Sequence, residues 1–163
     1  MKLTKIHFVV AIIIIAISSR LIPHPPNFTP ITAVALFSII HFKNKYLGIL
    51  LPIFCLFISD LIIGISIINL FVYLSFLLIS CVGYFFGKIN IKSVLLSSLI
   101  FFIITNFGVW LIGYPKTIKG FISCYIAAIP FFGWTIAGDL IYSYTSKLSL
   151  NFFKGKLFSI PSN

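Results

Sequence analysis

Long apolar runs alternate with short breaks along the whole chain, and each break carries proline, glycine, asparagine or lysine. The runs cover about residues 6–22, 31–42, 46–65, 70–86 and 94–112, followed by a last and longer one over 118–146. Most approach the roughly 20 residues that a helix needs to cross the hydrocarbon of a bilayer. The pattern predicts six transmembrane helices in a single integral membrane domain over residues 1–163. The second run, Ile31 to Phe42, is marginal as a full crossing and would have to tilt or enter the membrane before Ile31. The first run follows Lys2 and Lys5, as a signal peptide would, but no small-x-small cleavage site follows it. It therefore reads as a retained helix.

The last run is too long for one simple span and has Pro130 and Gly133 inside it. One reading is a tilted, kinked helix from about Gly120. The other is a short lid helix over 118–129 followed by a sixth span over 131–148. We expect the second, because proline removes a backbone donor and disfavours helix just before itself. Irregular backbone at membrane depth needs protein or a wet cavity beside it.

Composition sharpens this picture. Hydrophobic residues make up 60% of the chain and charged residues 9%, and the mean hydropathy is +1.17. A soluble domain of this size has too little interior to hide so much apolar surface. The net charge of +10 would suggest nucleic acid in a soluble protein, but here the cations sit in ones and twos between apolar runs. In that arrangement they act as topology signals, and nucleic acid is not an expected partner.

Counted by side, nine lysines (Lys2, Lys5, Lys43, Lys45, Lys88, Lys92, Lys147, Lys154 and Lys156) oppose Arg20, Lys116 and Lys119. The positive-inside rule then places both termini in the cytoplasm. The loops after the first and fifth spans face outward together. Cys55, Cys81 and Cys124 are far apart and lack CxxC spacing. They read as small apolar residues, with no metal and no disulfide.

Polar side chains are scarce enough that each one invites a reason. The stretch Arg20-Leu-Ile-Pro-His-Pro-Pro-Asn-Phe-Thr-Pro-Ile-Thr32 holds four of the eight prolines, the only arginine, His24 and Asn27. It reads as a rigid, non-helical connection and the entrance of a site. The two acidic residues, Asp60 and Asp139, both lie inside apolar runs. An ionised carboxylate there must be paired, protonated or solvated by a cavity. Asp60 lies roughly 7 Å inside the outer end of its span, at a depth like that of Arg20, so an Arg20–Asp60 ion pair is the simplest electrostatic account. Asp139 lies roughly 12 Å deep if its span begins at Phe131, and near the cytoplasmic end if it begins at Gly120.

Thr135, Asp139 and Tyr142 share a helix face at i+4 and i+3 spacing. Asn106, with Trp110 one turn above it, lies near the outer end of the fifth span. Arg20, His24, Asn27, Asp60, Asn106, Trp110, Asp139 and Tyr142, under a lid near Tyr114 and Lys116, are therefore the candidate substrate-binding residues. The plainer alternative is that Asp60, Asn106 and Asp139 only bond helices together, that Arg20 snorkels, that His24 is an ordinary loop residue, and that Lys116 and Lys119 anchor the interface.

No HExxH, GxSxG, paired cysteine and histidine or Gly-rich phosphate loop occurs, so catalysis is not expected and no cofactor is implied. Two aspartates suffice for an intramembrane aspartyl protease, but no motif of that class surrounds them.

Taken together, Arg20 to Ile31, Ser59-Asp60-Leu61, Thr105-Asn106-Phe-Gly-Val-Trp110, Tyr114-Pro-Lys-Thr117, Cys124 to Phe132 and Gly138-Asp139-Leu-Ile-Tyr142 resemble an uncharacterised family of bacterial integral membrane proteins described as candidate transporters. That family is similar to the substrate-binding S components of energy-coupling factor (ECF) vitamin transporters. The resemblance implies an all-α, six-helix S-component-like bundle with substrate held in its outer half. It implies uptake of a small vitamin-like nutrient such as a cobalamin- or thiamine-type compound. The implied partner is a transmembrane coupling subunit with ATPases, docked through small residues of the first helix, where Ala11 and Ala16 stand five apart. A proton- or ion-coupled secondary transporter in which Asp60 or Asp139 titrates is the alternative, and a non-transporting membrane scaffold is a third.

Overall fold

A computed structural model describes residues 5–157 as six helices joined by short connections: α1 (Lys5–Leu21), α2 (Ile31–His41), α3 (Lys45–Ile63), α4 (Ile68–Phe86), α5 (Ile91–Gly113) and α6 (Ile118–Leu157). Lys2 lies outside the described residues, as does the tail after Leu157. No strand occurs among the described residues. The helices begin and end where local chemistry directs. The Asn44 side chain accepts from the Tyr46 and Leu47 amides to start α3. Asn90 and Ser93 form a reciprocal capping box at the start of α5, which satisfies amides that would otherwise lack partners. Gly87, with φ +61°, closes α4 in the left-handed conformation that a side chain would disfavour.

Four helices, α3 to α6, are long and apolar enough to cross a membrane, while α1 and α2 are shorter apolar helices. Burial on α3 is inverted relative to a soluble helix. Leu50, Phe54, Phe57 and Leu61 form an exposed apolar stripe, whereas Ser59 and Asp60 are buried. In water such a stripe would be an association site. Against lipid it is the ordinary outer face.

The shortest helix is the centre of the bundle. Every residue of α2 from Ile31 to Ile39 is buried, with α1, α3, α4, α5 and α6 packed around it. At roughly 16 Å long, α2 does not match a hydrocarbon layer of about 30 Å. It has no need to, because its sides meet protein rather than lipid.

Two glycines permit the close packing. A Cβ on Gly48 would stand 2.9 Å from the Ile39 Cα, and one on Gly83 would strike the Ile39 side chain. The Ser38 hydroxyl uses the approach of α3 to donate to the Gly48 carbonyl at 2.6 Å. Small residues at helix contacts serve this purpose in membranes, where water supplies no drive for helices to associate.

The expected break at Pro130 is not present. α6 is one helix of 40 residues through Pro130, so 118–129 is its first part and not a separate lid helix. Proline deletes one amide donor and crowds the carbonyl of residue i−4, but the hydrogen bonds on either side hold the helix together, and Pro130 itself faces outward. At roughly 60 Å, α6 is about twice as long as the hydrocarbon layer is thick.

Candidate functional site

The stretch between α1 and α2 is shaped by its prolines and by one residue in the left-handed region, Asn27 at φ +62°. The Phe28 amide donates to the Pro25 carbonyl and the Thr29 amide to the Asn27 carbonyl, closing a tight turn. Phe28 then lies on α6 over Gly138, where a Cβ would come within 3.0 Å of the Phe28 Cα. Gly138 thus lets the loop settle onto the bundle. The left-handed conformation is costly for a non-glycine residue and marks a position held by its surroundings.

Beneath this loop lies a cavity of about 260 Å³. Its wall takes Arg20, His24, Asn27 and Thr29 from the loop and its approach, Thr32 from α2, Leu56 and Ile63 from α3, Val72 and Phe76 from α4, Phe101 from α5, and Thr135 and Asp139 from α6. A second lobe of about 180 Å³ adjoins it, sharing Asn27, Val72, Phe101 and Thr135 and adding Thr105, Asn106, Phe102 and Phe132 among others. The combined space is partly polar and partly aromatic, the usual character of a small-molecule site.

The two carboxylates are treated differently. Asp60 is buried, and Arg20 Nη2 donates to its Oδ1 at 2.7 Å. The Tyr73 hydroxyl donates to Oδ2, also at 2.7 Å. One carboxylate therefore ties α1, α3 and α4 together, and Arg20 reaches further to the Leu56 carbonyl at 3.5 Å. Asp60 does not line the cavity; it neutralises and orients Arg20, which does.

Asp139 is equally buried and does line the cavity. The Ser98 hydroxyl donates to its Oδ2 at 2.6 Å, linking α5 to α6. Among the described residues it has no ion pair.

The remaining candidates separate into three places. Asn106 reaches the second lobe, while its amide nitrogen donates to the Phe102 carbonyl of its own helix at 2.7 Å. Trp110, Tyr114 and Lys116 line neither lobe. They lock the α5–α6 turn: Lys116 Nζ donates to the Trp110 and Tyr114 carbonyls, and the Trp110 indole donates to the Pro115 carbonyl. The turn closes on itself because Gly120 leaves room for the Pro115 carbonyl.

Tyr142 departs from Thr135 and Asp139. It meets Phe28 edge-on at 5.5 Å and lines a separate apolar groove with Ala11, Ala33 and Phe37. Three residues fall about 60° short of a full helical turn, and that offset turns Tyr142 toward Phe28 and the groove.

Two polar partners are absent from the reading of the sequence. Tyr73 sits one turn or so into α4, as Asp60 sits one turn from the end of α3, so the hairpin between them matches their depths. That symmetry was legible. Ser98 is one of many serines in apolar helices, most bonded to their own helix, and nothing local distinguishes it. Among the described residues, no group of three His, Cys, Asp or Glu is placed to hold a metal ion.

No curated protein and no solved structure matches the chain. The model of one family, described as a family of unknown function (DUF6580), matches residues 1–157. With nearly its whole length covered in this way, the chain belongs to the DUF6580 family.

Proposed function

We propose that the chain is a six-span protein of a bacterial inner membrane, with both termini cytoplasmic, that binds a small vitamin-like nutrient and carries its uptake. Four long apolar helices support a multi-pass membrane protein. The excess of lysines at the ends bearing the α2–α3 and α4–α5 turns supports the orientation. In that orientation the cavity opens outward under the α1–α2 loop, where a substrate would arrive.

The observation that carries the reading is this cavity. It is reached by all six helices, has a buried carboxylate in its wall, and is roofed by a proline-stiffened loop. Polar groups buried at membrane depth are costly unless they serve something. Asn27, Asn106, Thr135 and Asp139 offer hydrogen bonds, and Phe76, Phe101 and Phe102 offer flat apolar surface. The likeness of S components to the family that the motifs resemble, in size, six spans and outward loops, supports a vitamin-like substrate and a coupling subunit with ATPases as partner. The apolar groove beside Ala11, about 320 Å³ in volume, would receive that subunit.

The test is mass spectrometry of small molecules co-purifying with the detergent-solubilised protein. Preparations carrying Val72→Trp, which fills the junction of the lobes, or Asn106→Leu serve as controls. A compound enriched with the wild-type chain and lost from folded variants supports the reading. A compound retained by both variants removes the cavity as the site.

A second reading, an ion-coupled carrier, draws on Asp139, a buried carboxylate without an ion pair among the described residues. Uptake into proteoliposomes separates the two. Collapse by a protonophore without ATP favours the carrier, and indifference to it favours the coupled S-component type.

A further inference from the structure

The two buried carboxylates are not matched alike by cations. The chain has two acidic residues and one arginine. Asp60 is consumed by Arg20 and Tyr73, with both its oxygens engaged at 2.7 Å. Arg20 is correspondingly neutralised, so the guanidinium in the wall brings no net charge of its own. Asp139 is the second carboxylate, only 2% exposed. Among the described residues its partners are the hydroxyls of Ser98 and Thr32, and it has no cation. A hydroxyl returns only part of what a carboxylate loses on leaving water; an opposite charge returns far more.

The same cavity wall is partly aromatic. Phe76 and Phe101 both face the cavity with ring centroids 5.6 Å apart. Ring faces attract cations and flat conjugated groups.

We propose that the cavity selects a small organic cation, a ligand whose positively charged nitrogen lies against Asp139 and whose flat portion packs on Phe76 and Phe101. The ligand supplies the charge that the protein leaves out. Arg20, His24 and Asn27 at the loop side contact the ligand's hydrogen-bond acceptors. The assignment rests on the cavity being the substrate site, and it adds the sign of the substrate's charge to that reading. It also explains why the two aspartates differ: one completes a structural ion pair, while the other is left incomplete until the ligand binds.

The test uses three isosteric probes at neutral pH, benzamidinium, benzamide and benzoate, which share a ring and differ in charge. Calorimetry on the detergent-purified full chain should show benzamidinium binding roughly ten to a hundred times more tightly than either of the others, the range of one hydrogen bond to a charged group. Asp139→Asn keeps an oxygen for Ser98 and should bring benzamidinium down to the level of benzamide. The wild-type preference needs no variant and stands even if Asp139→Asn does not fold.

Equal binding of the three probes, or a benzamidinium preference that survives Asp139→Asn, overturns the cation assignment. If that binding is still lost in Val72→Trp, the cavity itself remains the site. Absence of saturable binding by all three, or binding indifferent to Val72→Trp, overturns the cavity reading and the cation assignment with it.

Discussion

Arg20 Nη2 and Asp60 Oδ1 stand 2.7 Å apart although 40 positions separate them in the chain. This pair reinforces the packing of α1 on α3, and the Tyr73 hydroxyl on the same carboxylate extends the link to α4. It also leaves Arg20 at the edge of the cavity with its charge already matched. Both functions come from one contact, and they separate on mutation.

Asp60→Asn leaves a guanidinium that is 18% exposed without its counter-charge, and should destabilise the protein by about 3 kcal/mol. The double substitution Arg20→Met, Asp60→Asn should cost less than Asp60→Asn alone, because no charge is left stranded. Unfolding in detergent micelles across a double-mutant cycle measures this. Costs that simply add would show that the pair is incidental.

Gly48 and Gly133 are both helical glycines with opposite surroundings. A Cβ on Gly48 meets the backbone of Ile39 and Ser38, whereas one on Gly133 meets nothing. Gly48→Ala should lower stability by roughly 1–3 kcal/mol through overpacking. Gly133→Ala should be neutral or raise stability by up to about 1 kcal/mol through helix propensity. Melting temperatures of the two variants, side by side, check the contrast.

Ser98→Ala removes the donor to Asp139 and should cost about 1.5–3 kcal/mol, the range of a hydrogen bond to a charged group. Its neighbour Ser97 is also buried but bonds only the Ser93 carbonyl of its own helix. Ser97→Ala should therefore change stability by less than about 1 kcal/mol. Comparable losses in both variants would argue against Ser98 as the tie between α5 and α6.

Leu36 on α2 is wholly buried and Leu61 on α3 is 56% exposed. Leu36→Ala opens a void among the helices around α2 and should cost at least about 2 kcal/mol. Leu61→Ala exchanges one lipid contact for another and should cost little. Similar losses at the two positions would contradict the central place of α2.

The helices were largely legible in advance. The ends of α1 to α5 fall within three residues of the apolar runs, because length and hydropathy are local properties that a bilayer constrains strongly. The depth of a polar residue followed from the rise per residue, which brought Arg20 and Asp60 to the same level before any contact was seen. Pro130 misled, since a proline signals a break only where neighbouring structure does not carry the helix past it.

Rotation and neighbourhood were not legible. An apolar run such as Ile31 to Phe42 reads the same whether it faces lipid or sits among five other helices, because lipid tails and leucine side chains are equally apolar. Tyr142 shared a face with Asp139 on paper, yet Phe28, seated on Gly138, parts them. Trp110 and Lys116 stood near the expected lid and turned inward on their own loop. Such outcomes depend on a few close approaches, at Gly48, Gly83 and Gly138, between residues far apart in the chain. The number of helices and the lengths of the first five belong to the linear chain, since each follows from a segment and its solvent. The central position of α2, the junction of the two lobes and the unpaired state of Asp139 belong to the packing, since each requires knowing which helix stands next to which.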